Sequence, residues 1–491
     1  MGGMKAINGQ LSCTPAAERA AGERVLDFGE VCLGYTAQEA ENEAQRCLDC
    51  KGKPCVAGCP VEVDIPRFVR AVAERDFAQG YAVVRQANSL PAICGRVCPQ
   101  ETQCQGRCAR GRRGEPVGIG RLERFVADWA AQHPIEAEAA REELAAAESG
   151  VADCSGGTGG LSSLEGHSVA CVGSGPASLT CAAELAALGC EVTVYEALHE
   201  AGGVLAYGIP EFRLPDSLLQ HEVELLKNAG VRIRTDAVIG KLFTIDELMG
   251  RLGHEAVFLG TGAGLPRYLN IPGECLSGVC VANELLTRVN LMGAWRFPHQ
   301  ADTPVLMGKR CVVVGGGNVA MDAARTALRL GAQVTIVYRR GEEEMPARSE
   351  ELAHAKQEGV LLETLAAPVE ALGDEDGWVR ALRCQRMRLG MPDESGRRRP
   401  EPVEGELFEL SCDTLVVAVG SRVNPLVAQT TPGLATTQAG PIVIDARSGA
   451  TSLPGVFAGG DASTGAATVI LAMGAGKRAA QGIAAYLASS R

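Results

Sequence analysis

The sequence predicts an α/β protein of two Rossmann-like halves set behind an all-α, cysteine-rich domain. Residues 168–197 and 310–340 repeat one pattern of apolar strand, glycine turn, helix, glycine and second strand, with Gly173 and Gly189 matching Gly315 and Gly331. Each glycine set follows a strand and opens a helix, the context in which a tight turn brings backbone N–H groups to a pyrophosphate. Ahead of both repeats lie eight cysteines, at positions 47, 50, 55, 59, 94, 98, 104 and 108, in a stretch with helical spacing and no strand alternation.

Composition narrows the function classes. A chain of 491 residues has room for two to four domains. Its net charge of -12 and 4% aromatic content disfavour nucleic-acid binding and an anionic membrane surface. There is no basic-then-apolar leader and no apolar run of ~20 residues, so a cytoplasmic location is expected, with no membrane or nucleic-acid partner. In a reducing compartment, 19 cysteines read as metal or redox ligands before disulfides.

Residues 1–150 read as the helical domain, because "TAQEAENEAQRCL" and "DIPRFVRAVAERDFAQGYAVVRQ" repeat apolar residues three and four apart. A Gly/Ser-rich linker follows over 151–166. Beyond it, short β-branched runs alternate with Ala/Leu-rich helices, the texture of parallel α/β domains.

In the first turn Gly173 allows the bend and Gly175 the approach of phosphate, with Pro176 and Ala177 opening the helix. In the second, Gly315 and Gly317 do the same, followed by Asn318 and Val319. The third motif position is Ala320 in the second copy and Ser178 in the first, a mild departure expected to loosen helix–strand packing. The ends of the second strands separate the ligands. Glu196 suits the ribose hydroxyls of FAD or NAD, whereas Arg339 and Arg340 suit the 2'-phosphate of NADPH.

Two more stretches, "EAGGVLAYGIPEFRLP" and "GVFAGGDASTGAATVILAMGAGK", make the chain resemble the two-dinucleotide-binding (FAD/NAD(P)) flavoprotein fold. The resemblance implies a discontinuous FAD domain, 167–280 and 426–491, with an NADPH domain inserted over 281–425. It assigns Asp461 to the ribityl chain and further cofactor contacts to Gly203, Val204, Arg213, Gly262, Gly460 and Thr468. For Asp461 an N-cap role is the plainer alternative. No cysteine pair stands near either turn, so a dithiol relay is not expected and flavin electrons need another outlet. No protein side chain is assigned as catalytic.

Cys47, Cys50, Cys55 and Cys59, with Pro60, run C-x2-C-x4-C-x3-C-P, closer to a ferredoxin run than to paired zinc ligands. With "CGRVCPQETQCQGRC" and "EPVGIGRLERFVADW", this segment resembles the N-terminal domain shared by the glutamate synthase small (beta) chain and dihydropyrimidine dehydrogenase. That resemblance implies an all-α Fe-S domain with two [4Fe-4S] clusters. Cys47, Cys50, Cys55 and Cys108 would hold one. Cys59, Cys98, Cys104 and Glu123 would hold the other, and Cys94 is left as structural; a solvated surface acid is the alternative for Glu123.

"VVVGGGNVAMDAARTALRLGAQVTIVYRR", "EEEMPAR" and "GAATVILAMGAGK" are most similar to the glutamate synthase small chain. The resemblance implies an NADPH-dependent electron-transfer subunit that passes hydride between NADPH and FAD. Single electrons would go through the clusters to an FMN-bearing large chain that forms L-glutamate. Position 2 is Gly2, not an N-terminal amidotransferase cysteine, so glutamine hydrolysis is not expected of this chain. The alternative is the large subunit of an electron-bifurcating NADH-dependent ferredoxin:NADP+ oxidoreductase, partnered by a small ferredoxin-reductase-like flavoprotein. A zinc-containing nucleotide-binding regulatory module is the alternative of another class, and homo-oligomerisation stays open.

Overall fold

The computed structural model describes residues 9–149, 164–301, 303–394 and 396–489. Residues 151–163 of the expected linker lie outside them. The N-terminal part is helical: α1 (Ala37–Ala44), α2 (Ile65–Ala73), α3 (Phe77–Ala87), α4 (Pro91–Val97), α5 (Ile119–Gln132) and α6 (Pro134–Ser149). Thr36 and Glu39 form a reciprocal capping box on α1, and the Asp76 side chain caps α3 by accepting from Gln79 N–H. Phe68, Val72, Ile93, Leu122 and Val126 are buried between the helices, and the same core takes in Leu205, Ile470 and Met473 from the α/β part. The cysteine loops themselves are not helical runs but short 3-10 turns, Val56–Gly58 and Gln105–Arg107 among them.

The α/β part holds two parallel sheets. Its elements are β1 (Ser168–Val172), α7 (Pro176–Ala187), β2 (Glu191–Tyr195), α8 (Asp216–Asn228), β3 (Arg232–Arg234), β4 (Ala256–Leu259), β5 (Val279–Val281), α9 (Ala282–Val289), β6 (Arg310–Val314), α10 (Asn318–Arg329), β7 (Gln333–Tyr338), α11 (Ser349–Glu358), β8 (Leu361–Thr364), β9 (Ala366–Gly373), β10 (Val379–Pro392), β11 (Arg398–Ser411), β12 (Thr414–Val417), β13 (Val456–Ala458) and α12 (Val469–Ser489). The first sheet runs β3-β2-β1-β4-β13 and the second β8-β7-β6-β12-β5, each fully parallel. The first therefore recruits a strand from beyond residue 455, after the chain has built the second. The second begins at Val279, just ahead of the boundary read from the sequence, because a three-residue run carries too little pattern to announce a strand.

The strand order reverses next to β1 and next to β6, and a ligand crevice opens at such a switch point. Gly173, at φ +90, faces Gly260, whose carbonyl oxygen would lie 2.6 Å from an added Cβ. Gly315, at φ +151, faces Ala418, whose carbonyl oxygen would lie 2.4 Å away. Only glycine satisfies both the backbone angle and the approach. The expected loosening at Ser178 does not occur: Ser178 is fully buried, and an added Cβ on Gly260 would meet its hydroxyl at 2.1 Å. A small neighbour makes room for the larger third residue.

An antiparallel sheet, β9-β10-β11, extends from the second domain.

Candidate cofactor sites

Of the three C-x3-C pairs, Cys94 and Cys98 belong to α4 and its C-terminal cap, whereas Cys55/Cys59 and Cys104/Cys108 each stand at the two ends of a 3-10 turn. Cys55 and Cys104 precede their turns with helical backbone angles, and Cys59 and Cys108 follow theirs in extended conformation. The two turns pack together, the carbonyl oxygen of Gln103 lying where a Cβ on Gly58 would come within 2.8 Å. Cys47, Cys50, Cys55 and Cys108 line one small cavity with Pro54 and Pro66. Burial pushes the Cys55 thiol up to about 11, and the Cys47 and Cys108 charges add to this.

Cys59, Cys98 and Cys104 lie in a second group. Burial raises Cys59 to about 11 and Cys104 further, a hydrogen bond with Cys94 and then burial raise Cys98, and the Glu123 charge acts on all three. Glu123 is therefore not the solvated surface acid of the alternative reading: burial lifts its carboxyl to about 7, against a hydrogen bond donated by Asn88.

These residues fit a cluster better than a single ion. Among the described residues, the only group of three ligand atoms all within 4.8 Å of one another is Glu18, Glu350 and His354, with no cysteine. Thiolates on one zinc, at Zn–S 2.3 Å, would sit about 3.8 Å apart, whereas a four-iron cube spreads them wider. Asp49 and Lys53, at φ 45 and 40, show a loop held in a strained path between Cys47 and Cys55. The Glu18 group is no cation site, because Arg24, Arg121 and Arg348 already face its acids.

At the first glycine turn Glu196 is buried at the end of β2, accepting from Ser174 N–H at 2.8 Å, Ser174 O–H at 2.5 Å and Leu198 N–H at 2.9 Å. Nothing within 4 Å would meet a Cβ on Gly175 or Gly262, the space a bound pyrophosphate requires. Thr261 Oγ1 is buried there without a partner. Val204 and Val319 stay exposed beside the two turns, apolar surface that a bound nucleotide would cover. Asp461 does not cap its own turn, whose N-cap is Gly460. It accepts instead from Ala467 N–H at 3.1 Å, and burial lifts it to about 6. No sequence motif points to Tyr207, whose hydroxyl is driven up to about 12 by burial and then by the Glu196 and Asp461 charges. Thr468 accepts from Gln103 of the cysteine loop at 3.5 Å, so α12 starts against that loop.

Two expected contacts are corrected. Arg213 donates to Asp322 at 2.8 and 2.7 Å and pairs with Glu351 at 2.9 Å, with its side chain 6% exposed. Its charge is neutralised by two acids of the neighbouring domain, so it clamps the domains and is not free for cofactor. Arg340 donates to Asp393 and to the Arg398 carbonyl oxygen, 2.7 and 2.9 Å away, and is buried under the antiparallel sheet. Arg339 alone of the two is exposed at the strand end.

The family model "Dihydropyrimidine dehydrogenase domain II, 4Fe-4S cluster" matches residues 24–135. "Pyridine nucleotide-disulphide oxidoreductase" matches residues 167–476. The glutamate synthase [NADPH] small chain of Azospirillum brasilense is 36% identical, over 96% of this chain and 93% of that one. The chain belongs to the glutamate synthase small-chain family. As a member of that family it is an NADPH-dependent oxidoreductase, an electron-transfer subunit with 4Fe-4S, FAD and NADPH as cofactors. Small-chain relatives do not exhaust the similarity. The NADP(+)-dependent formate dehydrogenase subunit beta of Moorella thermoacetica is 39% identical over 88% of this chain but spans 60% of that longer one. Among solved structures, FprA of Mycobacterium tuberculosis in complex with NADPH covers 66% of this chain and 85% of its own at a TM-score of 0.54 and 24% identity, a likeness of fold. Among the described residues no helix is long and apolar enough to cross a membrane.

Proposed function

We propose that this chain supplies electrons from NADPH to a partner subunit that reduces 2-iminoglutarate to L-glutamate. The observation that carries the reading is the 36% identity along 93% of the Azospirillum brasilense small chain. When bound, FAD accepts hydride from NADPH and passes electrons singly to iron–sulfur centres.

The chain's own residues bind and orient. Gly173 and Gly175 turn the chain so that backbone N–H groups face the FAD pyrophosphate, Pro176 opens the helix without an N–H of its own and Ala177 follows it, Gly203 and Gly460 pack closely on that turn, Gly262 leaves room, and Glu196 accepts from the ribose. Gly315, Gly317, Asn318 and Val319 make the corresponding cradle for NADPH, and Arg339 reads its 2'-phosphate. Asp461, at the head of its own short turn, and Thr468, just ahead of the last helix, face the flavin.

Of the two ligand sets, the one with Cys59, Cys98, Cys104 and Glu123 abuts the flavin domain. Two contacts support this order: Gln103 donates to Thr468, and a Cβ on Gly474 would meet the Pro60 carbonyl oxygen at 2.8 Å. The set of Cys47, Cys50, Cys55 and Cys108 is the outer one, since Cys108 also lines a surface cleft with Arg107 and Arg112. The partner takes electrons there.

The test is the activity of the chain purified with its partner. Formation of glutamate from glutamine, 2-oxoglutarate and NADPH supports the reading. Formate-dependent reduction of NADP+ and no glutamate would favour a second reading, motivated by the 39% identity to the formate dehydrogenase subunit.

A further inference from the structure

Iron of a sulfide cluster is a soft partner, and a thiolate should displace a carboxylate from it when both are in reach. Both are in reach here. Cys94 is fully buried one helical turn before Cys98, and one side chain, Asn88, touches both it and Glu123, at 3.6 and 2.6 Å. Something must keep the softer ligand off the metal and the harder one on it.

Asn88, at the C-terminal end of α3 and fully buried, stands between the two. Leu90 N–H donates to Asn88 Oδ1 at 2.9 Å, and a backbone N–H can only donate. The amide's orientation is thus fixed, and its Nδ2 donates to Glu123 Oε1 at 2.6 Å. The carboxylate is held by one oxygen, leaving the other for the cysteine set. On its other side Asn88 Oδ1 lies 3.6 Å from Cys94 Sγ, an acceptor for a protonated thiol, and Met473 Sδ lies 3.4 Å from the same sulfur.

We propose that Asn88 is the positioning residue that selects the fourth ligand of the inner cluster, holding Glu123 toward the iron and Cys94 off it. The proposal builds on the reading of Glu123 as a ligand. In a variant without the amide, Cys94 would hold the iron in place of Glu123, an Fe–S bond replacing the Fe–O bond. The thiol proton goes to the released carboxylate, and no oxidation state changes.

The test compares holoproteins purified anaerobically, by EPR of the reduced clusters and by iron retained against a chelator. Asn88→Ala should change the signal of one cluster and leave the other as in wild type. Asn88→Asp keeps the acceptor for Leu90 and the side-chain volume while losing the donor, and it should give the same change even if the alanine variant folds poorly. Adding Cys94→Ser to either should weaken iron retention at that cluster about 10- to 100-fold, the scale seen when outer-shell partners of metal ligands are lost. Wild-type signals in both Asn88 variants would overturn the proposal, as would a double variant that retains iron like its Asn88 parent. Glu123→Ala tests the underlying reading separately: unchanged signals there would remove Glu123 as a ligand.

Discussion

Arg24 Nε donates to Glu358 Oε1 at 2.8 Å, joining the N-terminal domain to the far end of α11 with both side chains sealed from solvent. Arg325 and Arg329 complete the pairing of the same carboxylate, and Phe212 lies under both guanidinium groups. Burial alone would raise the Glu358 carboxyl, but hydrogen bonds from Arg325 and Arg329 outweigh it and hold the group at about 2.

Glu358→Gln should therefore destabilise the folded chain by about 3 kcal/mol at neutral pH, since it leaves buried arginines underpaired. A carboxyl depressed in the folded state contributes stability above its unfolded pKa of roughly 4.3 and loses it as pH falls toward the folded value. In denaturant titrations the gap between wild type and variant should be full at neutral pH and close on acidification from roughly pH 4 downward. A gap independent of pH would show that the charge is not the source.

Nucleotide choice should divide between two neighbouring arginines. Arg339→Ala should raise the KM for NADPH about tenfold or more and leave that for NADH nearly unchanged, the cost of one charge-assisted hydrogen-bond pair. Arg340→Ala should lower thermal stability through the loss of Asp393 and Arg398 and leave the NADPH/NADH ratio alone. Steady-state kinetics with both nucleotides checks this.

That division marks the limit of what the sequence revealed. The glycine turns were legible because φ near +90 and a carbonyl oxygen within 2.6 Å admit one residue type, and Gly173 advertises both. The pairing of Cys59 with Cys98 and Cys104 rests on a family resemblance; the two 3-10 turns give Cys55 and Cys59, and Cys104 and Cys108, different backbone angles, which would let each turn send its ends to different clusters. Arg213 and Arg340 misled because a sequence displays a charge but not its partner; Asp322 and Asp393 lie 109 and 53 residues further on. The antiparallel sheet has only a weak signature, because in "VRALRCQRMRL" the alternation is broken at Ala381–Leu382 and again at Gln385–Arg386, where the register also shifts.

Glu196→Ala should weaken FAD binding by about tenfold or more, through loss of the acceptor for ribose and release of Ser174 and Leu198 from their hydrogen bonds. Flavin released on dialysis, measured by absorbance, checks it; undiminished retention would place the ribose elsewhere.

Cys55→Ser should lower the iron bound per chain, because Cys55 lines the cavity shared with Cys47, Cys50 and Cys108. Cys94→Ser alone should not, because the proposed fourth ligand of the inner cluster is Glu123. Colorimetric iron assay of anaerobically purified variants separates the two outcomes.

In the proposed function electrons enter this chain as hydride from NADPH and leave through iron–sulfur centres. Anaerobic addition of NADPH to the purified holoprotein, followed by visible absorbance, tests it most directly. The expected result is a coloured protein whose flavin band bleaches with NADPH far faster than with NADH, in a preparation that contains iron and inorganic sulfide. A flavin that stays oxidised under NADPH, or a colourless protein carrying zinc after anaerobic purification, would contradict it.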